Sequence, residues 1–155
     1  MNLNQFTSLF NITLEESKIV KIGKNYYSAD PQLSALRSKI NRDLFAVGLY
    51  LGCDSGKHYD PSPALIDILS KMPEAVKKKI YIATKVEGLY LYGRNILKDS
   101  IARNPNNIDS GYVFVQNEKD ENLGFGIFQK QGEQVIIKNL LDKGFYLRKE
   151  AKRKK

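Results

Sequence analysis

The sequence Leu123-Gly-Phe-Gly-Ile-Phe-Gln129, followed by Val135-Ile-Ile-Lys-Asn-Leu-Leu-Asp-Lys-Gly-Phe-Tyr-Leu-Arg-Lys149, has the clearest strand pattern in the chain. In the first run, Leu123, Phe125 and Ile127 alternate with the residues between them, which is the two-residue period of a β-strand. Its two glycines indicate a sharp bend or a close approach by another backbone, as a small closed barrel requires. The β-branched start of the second run predicts the next strand, after a turn at residues 131–133. Lys138 is expected to leave the barrel toward the basic end of the chain.

Other segments of the C-terminal half extend this prediction in both directions. Residues 80–84 and 111–115 are β-rich runs. Gly93-Arg-Asn95 predicts a turn into a short helix over residues 96–102, and residues 103–111 have the composition of an exposed loop. Residues 149–155 contain five basic residues in seven, which predicts a mobile tail.

The start of the N-terminal half predicts a short helix, a hairpin and a longer helix. The short helix falls within residues 1–16, and residues 18–22 and 26–28 are β-prone runs around a Gly and Asn turn. Asp30-Pro31 begins the longer helix, because Asp accepts hydrogen bonds from free amides and Pro already has the required φ. One face of this helix carries Leu33, Leu36 and Ile40. The basic residues lie largely away from that face: Arg37, Lys39 and Arg42.

A buried strand and a second capped helix complete the N-terminal half. Residues 44–51 are mostly apolar and predict a buried strand that ends at Gly52. Ser62-Pro63 repeats the capping arrangement before an apolar helix that Pro73 stops. A charged run follows, so we place an α/β domain at residues 1–76, a second domain at 77–150 and a basic tail at 151–155. The predicted fold class is α+β.

Composition excludes several classes of protein. With 155 residues, of which 42% are hydrophobic, the chain has the composition of a soluble globular protein with one core or two small ones. Its apolar runs are too short to cross a bilayer and its first residues lack a secretory signal, so we expect a cytoplasmic protein without a membrane partner. Cys53 is the single cysteine, which excludes an internal disulfide and a cysteine-based zinc cluster.

The net charge of +8 is concentrated in the C-terminal half. Residues 1–77 carry nine Lys or Arg against eight Asp or Glu, whereas residues 78–155 carry sixteen against nine. Such an excess attracts a polyanion and holds it through phosphate contacts. A surface charge that serves only solubility is the alternative explanation.

Residues suited to catalysis are few. His58 lies five residues after Cys53, and a thiolate with an imidazole is a possible nucleophile and base. The segment between them has the composition of a turn, however, and a free Cys is commonly a small core residue. Metal-ligand spacing is missing, and the glycines at positions 124 and 126 do not fit a nucleotide-binding fingerprint. We therefore expect neither enzyme activity nor a cofactor nor a metal site.

Four motifs in the C-terminal half resemble those of a known domain: Leu91-Tyr-Gly-Arg-Asn-Ile-Leu-Lys98, Gly111-Tyr-Val-Phe-Val115, Leu123-Gly-Phe-Gly-Ile127 and Lys143-Gly-Phe-Tyr-Leu-Arg148. In this order they resemble a PUA domain, the RNA-binding module of pseudouridine synthases and archaeosine transglycosylases. More narrowly, they resemble the Nip-seven family of ribosome-biogenesis proteins, in its archaeal branch. Val47-Gly-Leu-Tyr-Leu-Gly52 is similar to the end of that family's smaller N-terminal domain.

This resemblance implies a PUA-type mixed β-barrel and an accessory RNA-binding factor in assembly of the large ribosomal subunit. The implied RNA is precursor ribosomal RNA, including single-stranded uridine-rich segments. The implied protein partners are pre-ribosomal or exosome proteins that dock on the N-terminal domain, and the protein itself is expected to be a monomer. Two other hypotheses remain: a protein interaction module that binds RNA incidentally, and, less favoured, an RNA-modifying enzyme.

The predicted RNA-binding residues are all basic and all lie in the C-terminal half: Arg94, Lys98, Arg103, Lys130, Lys138, Lys143, Arg148, Lys149, Lys152 and Arg153. The first three are expected on or beside the predicted helix. Lys138 and Arg148 match basic positions of the family's motifs, although Arg148 has an alternative role as the cap of a C-terminal turn. Five aromatic residues are candidates for base stacking, of which we expect one or two to stack and the rest to be core: Tyr90, Tyr92, Phe125, Phe128 and Tyr146.

Overall fold

The computed structural model of the chain describes residues 1–40 and 44–153. Arg42, Lys154 and Lys155, which entered the predictions above, lie outside the described residues. The chain divides into two units, Met1–Leu69 and Ser70–Lys155. This division falls before the domain boundary that we place after residue 76, and the predicted domain ranges stay a prediction.

The N-terminal unit is, in its described residues, a four-stranded antiparallel sheet with three helices. The strands follow the sequence order across the sheet: β1 (Ile19–Ile22), β2 (Asn25–Ser28), β3 (Leu49–Asp54) and β4 (Tyr59–Pro61). The helices are α1 (Leu3–Ser8), α2 (Pro31–Lys39) and α3 (Pro63–Ser70), and a 3₁₀ turn at Glu16–Lys18 precedes β1. The interior is aromatic, with the rings of Phe6 and Tyr59 5.2 Å apart and those of Tyr26 and Tyr59 5.7 Å apart.

Local sequence signals account for the hairpin and both capped helices of this unit. The β1–β2 hairpin turns at Gly23, whose φ of 58° suits glycine. The Asp30 carboxylate accepts from the Leu33 amide at 2.8 Å, and the Ser62 hydroxyl accepts from the Leu65 amide at 3.1 Å. The predicted hairpin and both predicted helix starts are therefore confirmed.

The strand predicted over residues 44–51 is wrong in its first part. The strand begins only at Leu49, after Gly48 at a φ of 67°. Before that glycine, the backbone carbonyl of Phe45 accepts from the Tyr27 hydroxyl at 3.0 Å. The Phe45 side chain is 92% exposed, so apolar composition here does not mean burial.

The C-terminal unit contains, in its described residues, a six-stranded mixed sheet. In chain order its strands are β5 (Lys79–Ile82), β6 (Ile96–Leu97), β7 (Ile101–Arg103), β8 (Ser110–Gln116), β9 (Asn122–Gln131) and β10 (Gln134–Asp142). Across the sheet the order is β6-β10-β9-β8-β5-β7, with β5 and β8 parallel. The helices are α4 (Glu87–Leu91) and α5 (Phe145–Arg153), with 3₁₀ segments at Pro73–Lys78, Thr84–Val86 and Lys98–Ser100. Because the two edge strands β6 and β7 follow one another across Lys98–Ser100, the sheet curls into a nearly closed barrel.

The glycines of β9 lie against the backbone of β10. A side chain at Gly124 would overlap the Leu141 carbonyl, and one at Gly126 would overlap the Lys138 carbonyl. Gly124 also has a φ of 153°, a conformation that residues with a Cβ rarely adopt. The close backbone approach predicted from these two glycines is confirmed, and so are the mixed barrel and the α+β class.

Three predictions for this unit are wrong. Residues 96–102 are not a helix, because Ile96–Leu97 pairs with β10 and Ile101–Arg103 pairs with β5. Lys138 does not leave the barrel, since β10 continues to Asp142. Residues 149–153 form the end of α5 instead of a mobile tail, in keeping with the good helix propensity of Lys, Glu, Ala and Arg.

Candidate nucleic-acid interface

The carbonyl groups at the end of α4 bond to two distant parts of the chain. The Tyr90 carbonyl accepts from the Asn139 side-chain amide at 2.8 Å, and the Leu91 carbonyl accepts from the Arg148 guanidinium. The Asn139 backbone amide in turn donates to the Asn95 side chain at 3.0 Å. The first and last of the four quoted motifs are thus joined in one hydrogen-bonded cluster.

A buried carboxylate, that of Asp142, is the centre of this cluster. Arg148 donates through Nη1 to Oδ1 at 2.7 Å and through Nη2 to Oδ2 at 2.8 Å, and the Gly144 amide donates to Oδ1 at 2.9 Å. The hydrogen bonds to Asp142 raise the pKa of Arg148, against a smaller opposing effect of burial. Because Arg148 holds the start of α5 to the end of α4, its geometry fits the capping role better than the role of an RNA ligand.

Five exposed cations lie in β10, on either side of β6, and in the segment from the end of β10 into α5. We define the basic band as Arg94, Lys98, Lys138, Lys143 and Lys149, all of them exposed. Ile96 lies opposite Ile137 and Leu97 lies opposite Ile136, so β6 runs antiparallel beside β10. This register places Lys138 of β10 alongside the segment that connects Arg94 to Lys98. Strand pairing, and not the predicted helix, therefore brings these three cations together.

One end of the basic band carries exposed aromatic rings. Tyr92, directly after α4, is 75% exposed, and Tyr146 in α5 is 48% exposed. Both segments meet at the hydrogen bond between Arg148 and Leu91. Lys143 and Lys149 belong to the segment that contains Arg148, and Arg94 belongs to the segment that contains Leu91. The other three aromatic candidates for stacking are buried in the core: Tyr90, Phe125 and Phe128. Stacking by Tyr92 and Tyr146 stays a prediction.

The other end of the band borders an open cleft with side chains of both charges. The cleft has a volume of about 590 Å³ and its rim contains Lys98 and Lys130 together with Asp109 and Glu133. Lys130 lies 3.8 Å from Asp109. A phosphate group at this end would meet the carboxylates of Asp109 and Glu133.

Three further predicted site residues lie in β7 and at the end of α5. Arg103 lies in β7, with its guanidinium 4.1 Å from the centre of the Tyr81 ring. The backbone of Lys152 and Arg153 continues α5. The structure therefore groups five of the ten predicted cations in one band, and their role in RNA binding stays a prediction.

Sequence reasoning did not identify the cluster around Asp120. The buried Lys79 ammonium donates to both Asp120 oxygens at 3.0 Å, and the Tyr81 hydroxyl donates to Oδ1 at 2.9 Å. Burial raises the pKa of Asp120, but the hydrogen bonds and charge of its partners outweigh burial, so the net pKa is lowered. Lys79 and Asp120 are 41 residues apart, and no local pattern connects them.

The Cys53 and His58 side chains, the candidate nucleophile and base, each contact a carboxylate. His58 Nε2 lies 2.9 Å from Asp60 Oδ1, and Cys53 Sγ lies 3.9 Å from Asp60 Oδ2. Both side chains thus contact the same carboxylate, and Asp60 lies opposite Cys53 in the β3–β4 pair. In the part of the chain that the structure describes, no group of three His, Cys, Asp or Glu side chains is placed to hold a metal ion. Nor does any helix in those residues have the length and apolar character to cross a bilayer.

Comparison with known proteins finds similarity to two curated relatives and to one family model. A UPF0113 protein of Aeropyrum pernix is 30% identical over 105 residues, which cover 68% of this chain and 58% of the relative. A UPF0113 protein of Archaeoglobus fulgidus is 31% identical over 80 residues, 46% of each chain. The chain thus spans about half the length of these curated relatives. Residues 78–151 match the UPF0113 PUA domain family, and this range includes the barrel from β5 to β10, so the C-terminal unit is similar to an RNA-binding PUA domain.

Proposed function

We propose that this chain is a non-catalytic RNA-binding factor that acts in ribosome biogenesis. In this proposal the basic band binds precursor ribosomal RNA of the large subunit, and the N-terminal unit docks pre-ribosomal or exosome proteins. The observation that carries the proposal is the band of five exposed cations on a barrel similar to a PUA domain. The four motifs that resemble the Nip-seven family support the finer assignment to ribosome assembly.

The proposed binding mode follows from the uneven distribution of charge along the band. Arg94, Lys143 and Lys149 would neutralise phosphates at the end formed by α4 and α5, with Lys138 extending the path along β10. Tyr92 and Tyr146 would stack on unpaired bases, which favours single-stranded segments such as uridine-rich RNA. Contacts to 2′-hydroxyl groups would distinguish RNA from DNA. The proposal contains no catalytic step.

The test is fluorescence anisotropy of a labelled precursor ribosomal RNA fragment and a labelled uridine-rich RNA, titrated over a range of salt concentrations. The variant is Lys138→Gln/Lys149→Gln, which removes two charges of the band. For single-stranded RNA, the slope of log affinity against log salt should become shallower by about 1.4. The matched control is Lys24→Gln/Lys57→Gln, which removes two exposed charges of the N-terminal unit and should leave the slope unchanged.

Three outcomes would contradict the proposal in different ways. If the two double variants had equal slopes of log affinity against log salt, the basic band would not be part of the RNA-binding surface. Equal affinity for a DNA of the same length and charge would reduce the interaction to nonspecific attraction. An absence of binding by the full chain would favour the protein interaction module instead.

A further inference from the structure

Helix α2 of the N-terminal unit has its apolar residues on the outside. All of α2 lies within the described residues, and it buries none of its side chains. Its one partly buried residue is Ser34, whereas Leu33 and Leu36 are exposed, Leu36 by 53%. Ile40, which caps the helix, is also exposed. The apolar stripe that the sequence places on one face therefore does not pack on the core.

The stripe lies between two positive charges. With about 3.6 residues per turn, Leu33, Leu36 and Ile40 share one face of α2. The same geometry puts Arg37 on one side of the stripe and Lys39 on the other. Residues 31–39 contain no Asp or Glu to balance these two charges.

Two further exposed apolar residues lie near the start of α2. Leu49 pairs with Ser28, the last residue of β2, which precedes α2 in the chain. The Phe45 carbonyl accepts from the hydroxyl of Tyr27, the residue before Ser28. We define the α2 surface as Leu33, Leu36 and Ile40 with the flanking Arg37 and Lys39. It presents apolar area with a cationic border.

Helix α2 lacks the tertiary contacts that normally stabilise a helix of this length. It has nine residues, and isolated helices of fewer than about 12 residues are marginal in water. Its cap at Asp30 and its proline at the first position favour the helix, but none of its side chains is buried in the core. A partner that covered the stripe would supply the missing burial and so stabilise α2.

We propose that the α2 surface docks an amphipathic segment of a protein partner that presents apolar side chains bordered by Asp or Glu. This inference rests on the proposal that the N-terminal unit docks proteins, and it adds the place and the chemistry of the partner. The apolar stripe fits apolar side chains, and Arg37 and Lys39 fit carboxylates on either side. A second copy of this chain would bring like charges together, and RNA would gain few hydrogen bonds from a stripe of Leu and Ile.

The test uses the full chain and short labelled helical peptides that share one Leu face. One peptide carries Glu on both sides of that face, and the matched peptide carries Lys there. The Glu peptide should bind, and the α2 amides should then exchange hydrogen more slowly. The variant Leu33→Gln/Leu36→Gln keeps good helix propensity and should weaken this binding by about tenfold or more. Leu97→Gln, at an exposed apolar position of the C-terminal unit, is the control and should not change it.

Charge reversal gives a second, independent readout. Arg37→Glu/Lys39→Glu should transfer the preference from the Glu peptide to the Lys peptide. Circular dichroism melts of each variant show whether it is folded. RNA affinity, measured on the same variants, should stay at the level of the unmodified chain, so a failure of this inference is separable from a failure of RNA binding.

Several results would overturn the inference. If the unmodified chain did not bind the Glu peptide, α2 would not be the docking surface. The same conclusion would follow if the Leu33→Gln/Leu36→Gln variant bound this peptide as tightly as the unmodified chain. Binding to phosphatidylserine vesicles that is stronger than binding to the Glu peptide would assign the surface to a membrane. If the unmodified chain sedimented as a dimer and the Leu33→Gln/Leu36→Gln variant as a monomer, the α2 surface would be assigned to a second copy of the chain.

Discussion

Arg148 and Asp142 are joined by two parallel hydrogen bonds, 2.7 Å and 2.8 Å long, although the Asp142 side chain is 1% exposed and Arg148 remains accessible at 30%. The pair connects the end of β10 to α5, and its arginine also binds the Leu91 carbonyl at the end of α4. One side chain thus connects α4, which Tyr92 follows, to α5, which contains Tyr146.

Replacement of Arg148 by Ala should destabilise the C-terminal unit. The variant leaves the buried Asp142 carboxylate without its charge partner, which typically costs about 3 kcal/mol or more. The measurement is the free energy of unfolding from urea titration followed by circular dichroism. Lys149→Ala, one residue later and exposed, should stay within about 0.5 kcal/mol of the unmodified chain. If Arg148→Ala were as stable as Lys149→Ala, the ion pair would have no structural role.

Tyr92 should contribute to binding of single-stranded RNA through its ring. Tyr92→Ala should weaken binding by about 1 to 3 kcal/mol, because a stacked base loses its aromatic partner. Tyr92→Phe keeps the ring and should retain most of the affinity. Leu89→Ala, at an exposed apolar position on α4, is the matched control in the same anisotropy assay. Equal losses in Tyr92→Ala and Tyr92→Phe would indicate a role for the hydroxyl and not for stacking.

Gly124→Ala should prevent normal packing of β9 on β10. The new methyl group would overlap the Leu141 carbonyl at a φ that alanine rarely adopts, and the two effects together should cost about 3 kcal/mol or more. Gly88→Ala on α4 adds the same methyl group where nothing lies within 4 Å. That control should be neutral or more stable by up to about 1 kcal/mol, because Ala favours the helix. Thermal melts of both variants test the contrast.

The stability of the C-terminal unit should depend on pH through Asp120. Its folded pKa lies below the reference value of 3.8, so its contribution is complete above that value and is lost as the pH falls through the folded pKa. Asp120→Asn removes the charge and tolerates the φ of 62° at this position. The variant should be less stable than the unmodified chain at pH 6, and the difference should shrink as the pH falls below about 4. The measurement is the free energy of unfolding from urea titrations at each pH. If the difference between the variant and the unmodified chain stayed constant as the pH falls, the carboxylate charge would be excluded as its cause.

Local chemistry predicted those parts of the fold that local contacts determine. The turn at Gly23, the caps at Asp30 and Ser62, and the close approach at Gly124 each depend on a residue type that few others replace. The segment 96–102 was predicted wrongly because β6 and β7 are too short to show a strand period. Their conformation depends on pairing with β10 and β5, which are distant in sequence.

The candidate site was predictable as a set of cations but not as a geometry. Lys138 and Arg94 form part of one band only through the register of β6 on β10. Arg148 has the same charge as its neighbours, and only the buried Asp142 distinguishes its structural role. Leu33 and Leu36 follow the period of a buried helix face, yet the structure leaves that face exposed, because a periodic pattern identifies a face without identifying what covers it.

The parallel pairing of β5 with β8 has a consequence for synthesis of the chain. In the N-terminal unit each strand pairs with the next one in sequence, so that sheet can form as the polypeptide emerges from the translating ribosome. β5 instead cannot form its parallel pairing until β8 has been synthesised. The end of α4 cannot form its hydrogen bond until Arg148, 57 residues after Leu91, has been synthesised. The nascent barrel therefore lacks these contacts until α5 has been translated, and during that interval a chaperone has access to its unpaired strands.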